Sequence, residues 1–187
     1  EFEYENVTYK RFLEDINKLG TAIYKLGLKG KRIAIIGKNR YEWALAHISN
    51  LLGGIISVPL DKDLQYDELE RSLIRSKADA VIFDEKLEGS IRGIRNQEKT
   101  SLKHFISMTE VKGYDSVYDL MEEGNKALEN ANNEYVNAEI DNDALAILLF
   151  TSGTTAQSKA VMLSQRNVAT NIYDLQSVEN INEKDVS

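Results

Sequence analysis

The stretch "RIAIIGKNRYEWALAHISNLLGGIISVPL", residues 32–60, contains the unit from which the fold is predicted. Two short apolar runs rich in β-branched residues, 32–37 and 55–60, are typical of buried strands. Between them, apolar residues recur at helical spacing over 40–52. Asn39 is a candidate N-cap for this helix, and a pair of glycines follows it as a stop signal. A strand, a helix and a strand in this order predict a crossover between parallel strands.

The same alternation continues along the rest of the chain, and a polar segment over 85–103 is expected to contain a short helix. Together these elements predict a three-layer α/β fold, a mostly parallel sheet with helices on both faces. The Asn-rich connector near 130–143 is a soft internal boundary. The predicted strands are 32–37, 55–60, 79–84, 104–108, 144–150 and 161–164; the predicted helices are 8–26 with Thr8 as N-cap, 40–52, 66–77, 116–130 and a last helix capped by Ser164.

The composition argues against several kinds of partner and site. There are 23 basic and 30 acidic residues, a formal net charge of −7, which gives no support for nucleic-acid binding. The chain has no cysteine, so disulfides and thiolate metal sites are excluded, and two histidines do not favour a histidine-rich metal centre. The longest strongly apolar run, 144–150, is too short to span a bilayer. We predict no nucleic-acid partner, no transmembrane segment and no metal ligands; peripheral membrane contact and the oligomeric state stay open.

Three polar side chains are candidates for metal-binding or catalytic residues. Asp61 and Asp63 follow the predicted strand 55–60, where a solvated loop is the simpler interpretation of two nearby carboxylates. His47 shares a helical stripe with Trp43 and Leu51, which favours packing over catalysis. None of the three is therefore predicted to belong to an active site.

The most unusual segment is "TSGTTAQSKA", residues 151–160, directly after the predicted strand 144–150. Ligands bind at the carboxyl ends of strands in sheets of this kind. Hydroxyls around a glycine turn, followed by a lysine, suit a phosphate chain, because they donate to its oxygens and balance its charge. The segment is not a Walker A loop, since Ser158 replaces the second glycine and Ala160 the hydroxyl residue after the lysine. Composition alone leaves a polar turn between two strands equally open.

The order of residues in this loop resembles T-S-G-T-T-G-x-P-K-G, the signature of the adenylate-forming superfamily of acyl-CoA synthetases, peptide-synthetase adenylation domains and luciferases. The resemblance implies part of the large N-terminal domain of such an enzyme. It also implies that the loop grips the phosphates of ATP while a carboxylate attacks the α-phosphorus, with catalytic roles for Lys159 and Thr151. The residues that match in register, and that are expected to bind ATP, are Thr151, Ser152, Gly153, Thr154, Thr155 and Lys159.

Segments outside the loop resemble the long-chain fatty-acid–CoA ligases. They are Thr8-Tyr9, Asn39-Arg40-Tyr41-Glu42-Trp43, Gly54 to Leu60, and "VMLSQRN" at 161–167. The resemblance spans nearly all of the chain. It implies a cytoplasmic ligase that uses a carboxylic acid, ATP with Mg²⁺, and CoA. An adenylation domain that loads an acid onto a carrier protein, and a non-catalytic nucleotide- or phosphate-binding α/β module, remain as alternatives.

The sequence departs from the family pattern in two respects. Ala156 and Ala160 replace glycines and Ser158 replaces proline, which alters the backbone freedom of the loop and predicts slower or weaker handling of ATP. The family's downstream segments Y-G-x-T-E and Y-x-T-G-D, and a late lysine on its C-terminal domain, do not occur before Ser187. We therefore expect residues 1–187 to be an incomplete N-terminal domain that is inactive by itself.

Overall fold

The computed structural model describes residues 6–151 and 159–179. Within them, strands join into one sheet of seven, and helices lie between most of the strands. In chain order the strands are β1 (Arg32–Ile36), β2 (Ile56–Leu60), β3 (Ala80–Phe83), β4 (His104–Ser107), β5 (Asp115–Ser116), β6 (Leu145–Thr151) and β7 (Lys159–Ser164). The α-helices are α1 (Tyr9–Lys25), α2 (Tyr41–Leu52), α3 (Tyr66–Ser76), α4 (Glu88–Gln97), α5 (Val117–Glu129) and α6 (Gln165–Val178).

The sheet has the order β5-β4-β3-β1-β2-β6-β7, so β1 lies at its centre and β7 at one edge. Neighbouring strands from β5 to β6 run parallel. Only the last pair, β6 with β7, is antiparallel among the described strands. The prediction of a mostly parallel α/β sheet is therefore confirmed.

The alternation of side chains along β1 explains the three layers. Ile33 and Ile35 point to one face and pack with residues of α1, α2 and α5. Ala34 and Ile36 point to the other face and pack with α3 and α4. All four side chains are fully buried, as expected for a central parallel strand covered on both faces.

Helices α1 and α5 approach each other closely, and Gly124 makes this approach possible. A Cβ atom at Gly124 would lie 1.8 Å from the carbonyl oxygen of Lys18, a separation that no side chain could tolerate. The hydroxyl of Ser116 caps α5 by accepting from the backbone N–H of Asp119 at 3.1 Å, and Asp119 accepts in return from the N–H of Ser116. This capping box fixes the start of α5 directly after β5.

An aromatic ring attaches the connector near 130–143 to the core. Tyr135 is 3% exposed, its hydroxyl donates to the carbonyl oxygen of Ser49 at 2.8 Å, and its ring meets Tyr24 edge-on. A Cβ atom at Gly20 would lie 2.0 Å from this ring, so the glycine makes room for it. The proposed soft boundary here stays a prediction.

One predicted cap is wrong. Arg40, not Asn39, occupies the N-cap position of α2, with an extended backbone and no side-chain bond to the helix. Its guanidinium instead pairs with Glu42 and Glu85, and a charge-assisted pair is stronger than a neutral cap. The caps predicted at Thr8 and Ser164 are confirmed, since each hydroxyl accepts a backbone N–H from the first turn. The two-residue strand β5 was not predicted, because a pair this short leaves no periodicity to detect.

Candidate phosphate-binding site

The β6–β7 hairpin carries the ends of the predicted phosphate loop. Thr151 is the last residue of β6 and pairs with Lys159, the first residue of β7. The hydroxyl of Thr151 lies 3.5 Å from the carbonyl oxygen of Lys159, so this contact is weak and leaves the hydroxyl able to turn to a ligand. Both residues therefore stand at the carboxyl end of β6, where the sequence predicts them.

Pairing also sets the direction of the two side chains. Residues directly opposite each other in an antiparallel ladder project from the same face of the sheet. Thr151 and Lys159 thus share a face with Leu149 and Val161, the second pair along the ladder from them. Lys159 is exposed and Thr151 is half-buried, which leaves the ammonium group accessible to an anion.

The centre of the loop lies outside the described residues. This applies to four predicted ATP-binding residues and two of the three positions that depart from the family pattern. Thr151 and Lys159 are the predicted site residues that the structure places, and it brings them together as a strand pair. Of the predicted site residues and the departures, those outside the described ranges are Ser152, Gly153, Thr154, Thr155, Ala156 and Ser158.

Sequence reasoning missed an ion cluster at the carboxyl ends of the strands, on the loops that follow β1 and β3. The guanidinium of Arg40 contacts Glu42 at 2.6 Å and Glu85 at 2.9 Å, and lies 3.8 Å from Asp84. Thr109, which follows β4, donates to Glu85 at 2.9 Å. Arg40 and Glu85 together therefore connect the loops that follow three neighbouring strands. The signal in the sequence was the Asn39–Trp43 motif, which carries Arg40 and Glu42 two residues apart.

Two lysines face each other beside this cluster. Lys38 follows β1 and Lys86 follows β3, and the pKa of Lys38 lies below its ordinary value because Lys86 is close enough to compete for hydrogen bonds and to repel it. Asp84 acts in the opposite direction, since its carboxylate favours the charged lysine. Residues of both charges therefore surround the carboxyl ends of β1 and β3, while Lys159 lies on the hairpin, further along the sheet.

The other polar candidates occupy structural positions. The Nδ1 atom of His47 lies 2.8 Å from the hydroxyl oxygen of Ser57, and its ring stacks on Trp43 with centroids 5.1 Å apart. Burial lowers the pKa of His47, which keeps the ring neutral at pH 7. The prediction of a packing role is confirmed. Asp61 accepts from the backbone N–H of Asp63 in an exposed turn, as expected for a solvated loop.

Across residues 6–151 and 159–179 there is no cluster of three or more histidine, aspartate or glutamate side chains suited to a metal ion. Nor does this part of the chain include a helix whose length and apolar character would let it cross a membrane.

Comparison with known proteins identifies the family. The model of the AMP-binding enzyme family matches residues 1–187, the whole chain. The chain belongs to the AMP-binding enzymes. This agrees with a mostly parallel sheet in which Thr151 ends one strand and Lys159 begins the next.

Individual relatives agree with this family. The chain is 27% identical over 186 residues to the mitochondrial medium-chain acyl-CoA ligase ACSF2 of Danio rerio, covering 89% of the chain and 30% of that protein. It is 28% identical over 182 residues to long-chain-fatty-acid–CoA ligase 1 of Homo sapiens, covering 88% of the chain and 25% of that protein. The chain therefore spans about a third or less of the length of these relatives.

A solved structure supports the fold. A long-chain-fatty-acid-CoA ligase from Archaeoglobus fulgidus superposes with a TM-score of 0.81 at 20% identity, over 99% of this chain and 36% of that one. At this identity the likeness concerns the fold alone. The sheet and its helices thus have the architecture of the N-terminal domain of adenylate-forming enzymes.

Proposed function

We propose that the protein containing this chain is an ATP-dependent acid–CoA ligase. The observation that carries the proposal is the pairing of Thr151 with Lys159 at the carboxyl end of β6. This pairing puts a hydroxyl and an ammonium group at the two ends of a Ser/Thr-rich loop, in a chain that belongs to the AMP-binding enzymes. Substrates and products are proposals as well, because the chain spans only part of its relatives.

The proposed reaction has two steps, and the loop would act in the first. A carboxylate oxygen of the acid attacks the α-phosphorus of ATP, the bond from that phosphorus to the bridging oxygen breaks, and pyrophosphate leaves. The thiol of CoA then attacks the acyl carbon and gives up its proton to solvent, the bond from that carbon to the phosphate oxygen breaks, and AMP leaves. In the first step negative charge grows on the leaving phosphates, and Lys159 and the loop hydroxyls, Thr151 among them, would stabilise it. Preorganised donors aimed at developing charge accelerate such a step without entering it chemically.

Mg²⁺ is proposed as the companion of ATP, since it binds phosphate oxygens and needs few protein ligands. The described residues offer no ligand cluster for it, so no side chain of this chain is assigned to the metal. The acid is proposed to be a long-chain fatty acid, on the strength of the flanking segments and of relatives named as medium-chain and long-chain ligases. A cytoplasmic location stays a prediction. The Danio rerio relative is named as a mitochondrial protein.

The decisive experiment replaces the lysine of the loop. In the longer protein, Lys159→Ala should lower the rate of acid-dependent ATP–pyrophosphate exchange by about 10²- to 10³-fold, the loss expected for one donor to a developing oxyanion. The melting temperature should stay unchanged, because the side chain is exposed. Lys10→Ala, which removes another exposed lysine on α1, is the control and should leave the rate unaltered. An unaltered rate in Lys159→Ala would remove this lysine from the mechanism.

The same assay separates the proposal from its alternatives. A non-catalytic nucleotide-binding module would be stabilised by ATP but would show no exchange with any acid. A carrier-loading adenylation domain would show exchange but would transfer the acyl group to a carrier protein and not to CoA. Residues 1–187 alone are expected to show no exchange, since the downstream segments that the family resemblance implies do not occur in them.

The departures at 156, 158 and 160 define a second test of the loop. Ala156→Gly, Ser158→Pro and Ala160→Gly, combined in the longer protein, should raise the adenylation rate or the affinity for ATP, because they restore the family's backbone pattern. The measurement is the exchange rate at varied ATP concentration. If both kinetic parameters stay the same, the three departures do not limit the handling of ATP.

A further inference from the structure

A cavity of about 420 Å³ opens at the edge of the sheet opposite to the hairpin. It lies beside the first half of β4, and its lining includes Arg95, Lys103, His104, Tyr114 and Asp115. Strands β4 and β6 are four places apart in the sheet, which corresponds to about 19 Å at the usual strand spacing. The cavity is therefore separate from the loop that begins at Thr151.

The cavity exists because β5 is too short to cover its neighbour. Strand β5 pairs with Ile106 and Ser107 only, the second half of β4. Within the described part of the chain, no strand pairs with His104 and Phe105 on that side. An uncovered strand edge offers backbone N–H donors to whatever enters the cavity.

Arg95 is held in place at the wall of this cavity. Its guanidinium carbon lies 5.3 Å from the ring centroid of Phe105 and 5.4 Å from that of Tyr114. One of its terminal nitrogens lies 3.5 Å from the carbonyl oxygen of Gly113, a weak contact. Tyr114 is in turn fixed edge-on against the buried ring of Phe83, with centroids 5.1 Å apart. A guanidinium stacked in this way loses little entropy when it binds a ligand.

The charge around the cavity favours an anion. Arg95 and Lys103 are both cationic, and in residues 6–151 and 159–179 neither of them forms an ion pair with a carboxylate. Asp115 is the single carboxylate in the lining. An excess of cation is notable in a chain whose net charge is −7. A guanidinium and an ammonium together match the charge of a phosphate group better than that of a single carboxylate.

We infer that this cavity binds the phosphate group of a small molecule, with Arg95 as its principal ligand and Lys103 as a second cation. This site would act independently of the phosphate loop, and the inference does not depend on the proposed ligase activity. Asp115 would limit the affinity, because its carboxylate repels the bound anion.

The test is isothermal titration calorimetry of the longer protein with inorganic phosphate and, in parallel, with glycerol 3-phosphate. Arg95→Gln should weaken phosphate binding by about tenfold or more, since it removes a charge-assisted fork of donors. Asp115→Asn should strengthen it by about two- to fivefold, the effect of removing one exposed like charge. Tighter binding of glycerol 3-phosphate than of inorganic phosphate would support an organic ester as the natural ligand, and the reverse order would support the free anion.

Two further variants decide where the phosphate binds. Arg92→Gln removes an exposed arginine one turn earlier on α4, outside the cavity, and should leave binding intact. Lys159→Ala changes the opposite edge of the sheet and should also leave the contribution of the cavity intact. Equal binding by the wild type, Arg95→Gln and Asp115→Asn would overturn the proposal. So would a loss of all phosphate binding in Lys159→Ala, because the phosphate would then belong to the loop.

Discussion

The centre of the sheet and the hairpin at its edge are built from similar apolar residues but are covered very differently. In β1 and β3, isoleucines such as Ile35 and Ile82 are fully buried between helices on both faces. On β7 and α6, Met162 is 66% exposed, Ile172 55% and Val178 82%. The half that contains β1 and β3 thus has a complete core, while the half that carries the phosphate loop has little cover within the described residues.

The hairpin is held mainly by backbone pairing and a few polar contacts. Strand β7 pairs along its length with β6. The side-chain amide of Gln165 donates to the carbonyl oxygen of Leu51, and the guanidinium of Arg166 contacts Asp143 at 2.7 and 2.9 Å. Exposed ion pairs and single hydrogen bonds contribute about 1 kcal/mol each or less. Among the described residues, the burial that stabilises the fold therefore lies away from the hairpin that carries the proposed phosphate loop.

The largest expected effect tests the claim that the covered half stabilises the fold. Tyr135→Ala should lower the free energy of unfolding by about 3–5 kcal/mol, the usual cost of deleting a buried aromatic ring. Tyr135→Phe keeps the ring and loses only the bond to Ser49, so it should cost about 1 kcal/mol. Urea unfolding measures both. Equal, small losses in the two variants would show that the connector does not belong to the core.

The sequence predicted the regular part of this architecture because that part follows local rules. Runs of β-branched residues predicted the buried strands, and apolar stripes predicted the helices. Thr8 and Ser164 directly precede two of these helices, which predicted them as N-caps. The fold class was confirmed for the same reason. At the candidate site, the resemblance to the family signature predicted Thr151 and Lys159 as ATP-binding residues. The structure pairs the two across β6 and β7, and their role stays a prediction.

What could not be predicted depends on contacts between residues far apart in the chain. Tyr135 lies in a polar connector, and its burial depends on the space beside Gly20 and Gly53, which are more than 80 positions away. Arg40, which occupies the N-cap position in place of Asn39, pairs with Glu85, which is 45 positions away in the chain. No local pattern contains such partners. A lone aromatic residue among asparagines was the one available signal for Tyr135.

A smaller effect is expected where the two halves contain the same local motif. Ser116 and Ser164 each form a capping box with the residue three positions later. Ser116 is buried under α5, whereas Ser164 begins the exposed helix α6. Ser116→Ala should therefore cost about 1–2 kcal/mol of unfolding free energy and Ser164→Ala about 0.5 kcal/mol. If Ser164→Ala costs as much as Ser116→Ala, the hairpin half contributes to global stability as strongly as the covered half.

The cap at Ser116 also gives a pH dependence of known sign. The hydroxyl and then the backbone N–H of Ser116 hold the pKa of Asp119 below its ordinary value. Because this pKa is depressed in the folded state, the stabilisation is present above the ordinary carboxyl pKa of about 3.9 and is lost as the pH falls through the lowered value. Ser116→Ala should thus lose more stability at pH 7 than at pH 3. A constant difference between the two pH values would contradict the role of Asp119.

The smallest effect is expected from one methyl group on the exposed helix, and it sharpens the comparison most directly. Ile172→Val should change the unfolding free energy of residues 1–187 by less than about 0.5 kcal/mol, because the side chain is mostly in solvent. Ile82→Val, the same change in β3, should cost about 0.5–1.5 kcal/mol. Measured again in the longer protein, a cost at Ile172 that rises to the value at Ile82 would show that α6 is covered there. If Ile172→Val costs close to nothing both in residues 1–187 and in the longer protein, this face of α6 stays in solvent in both.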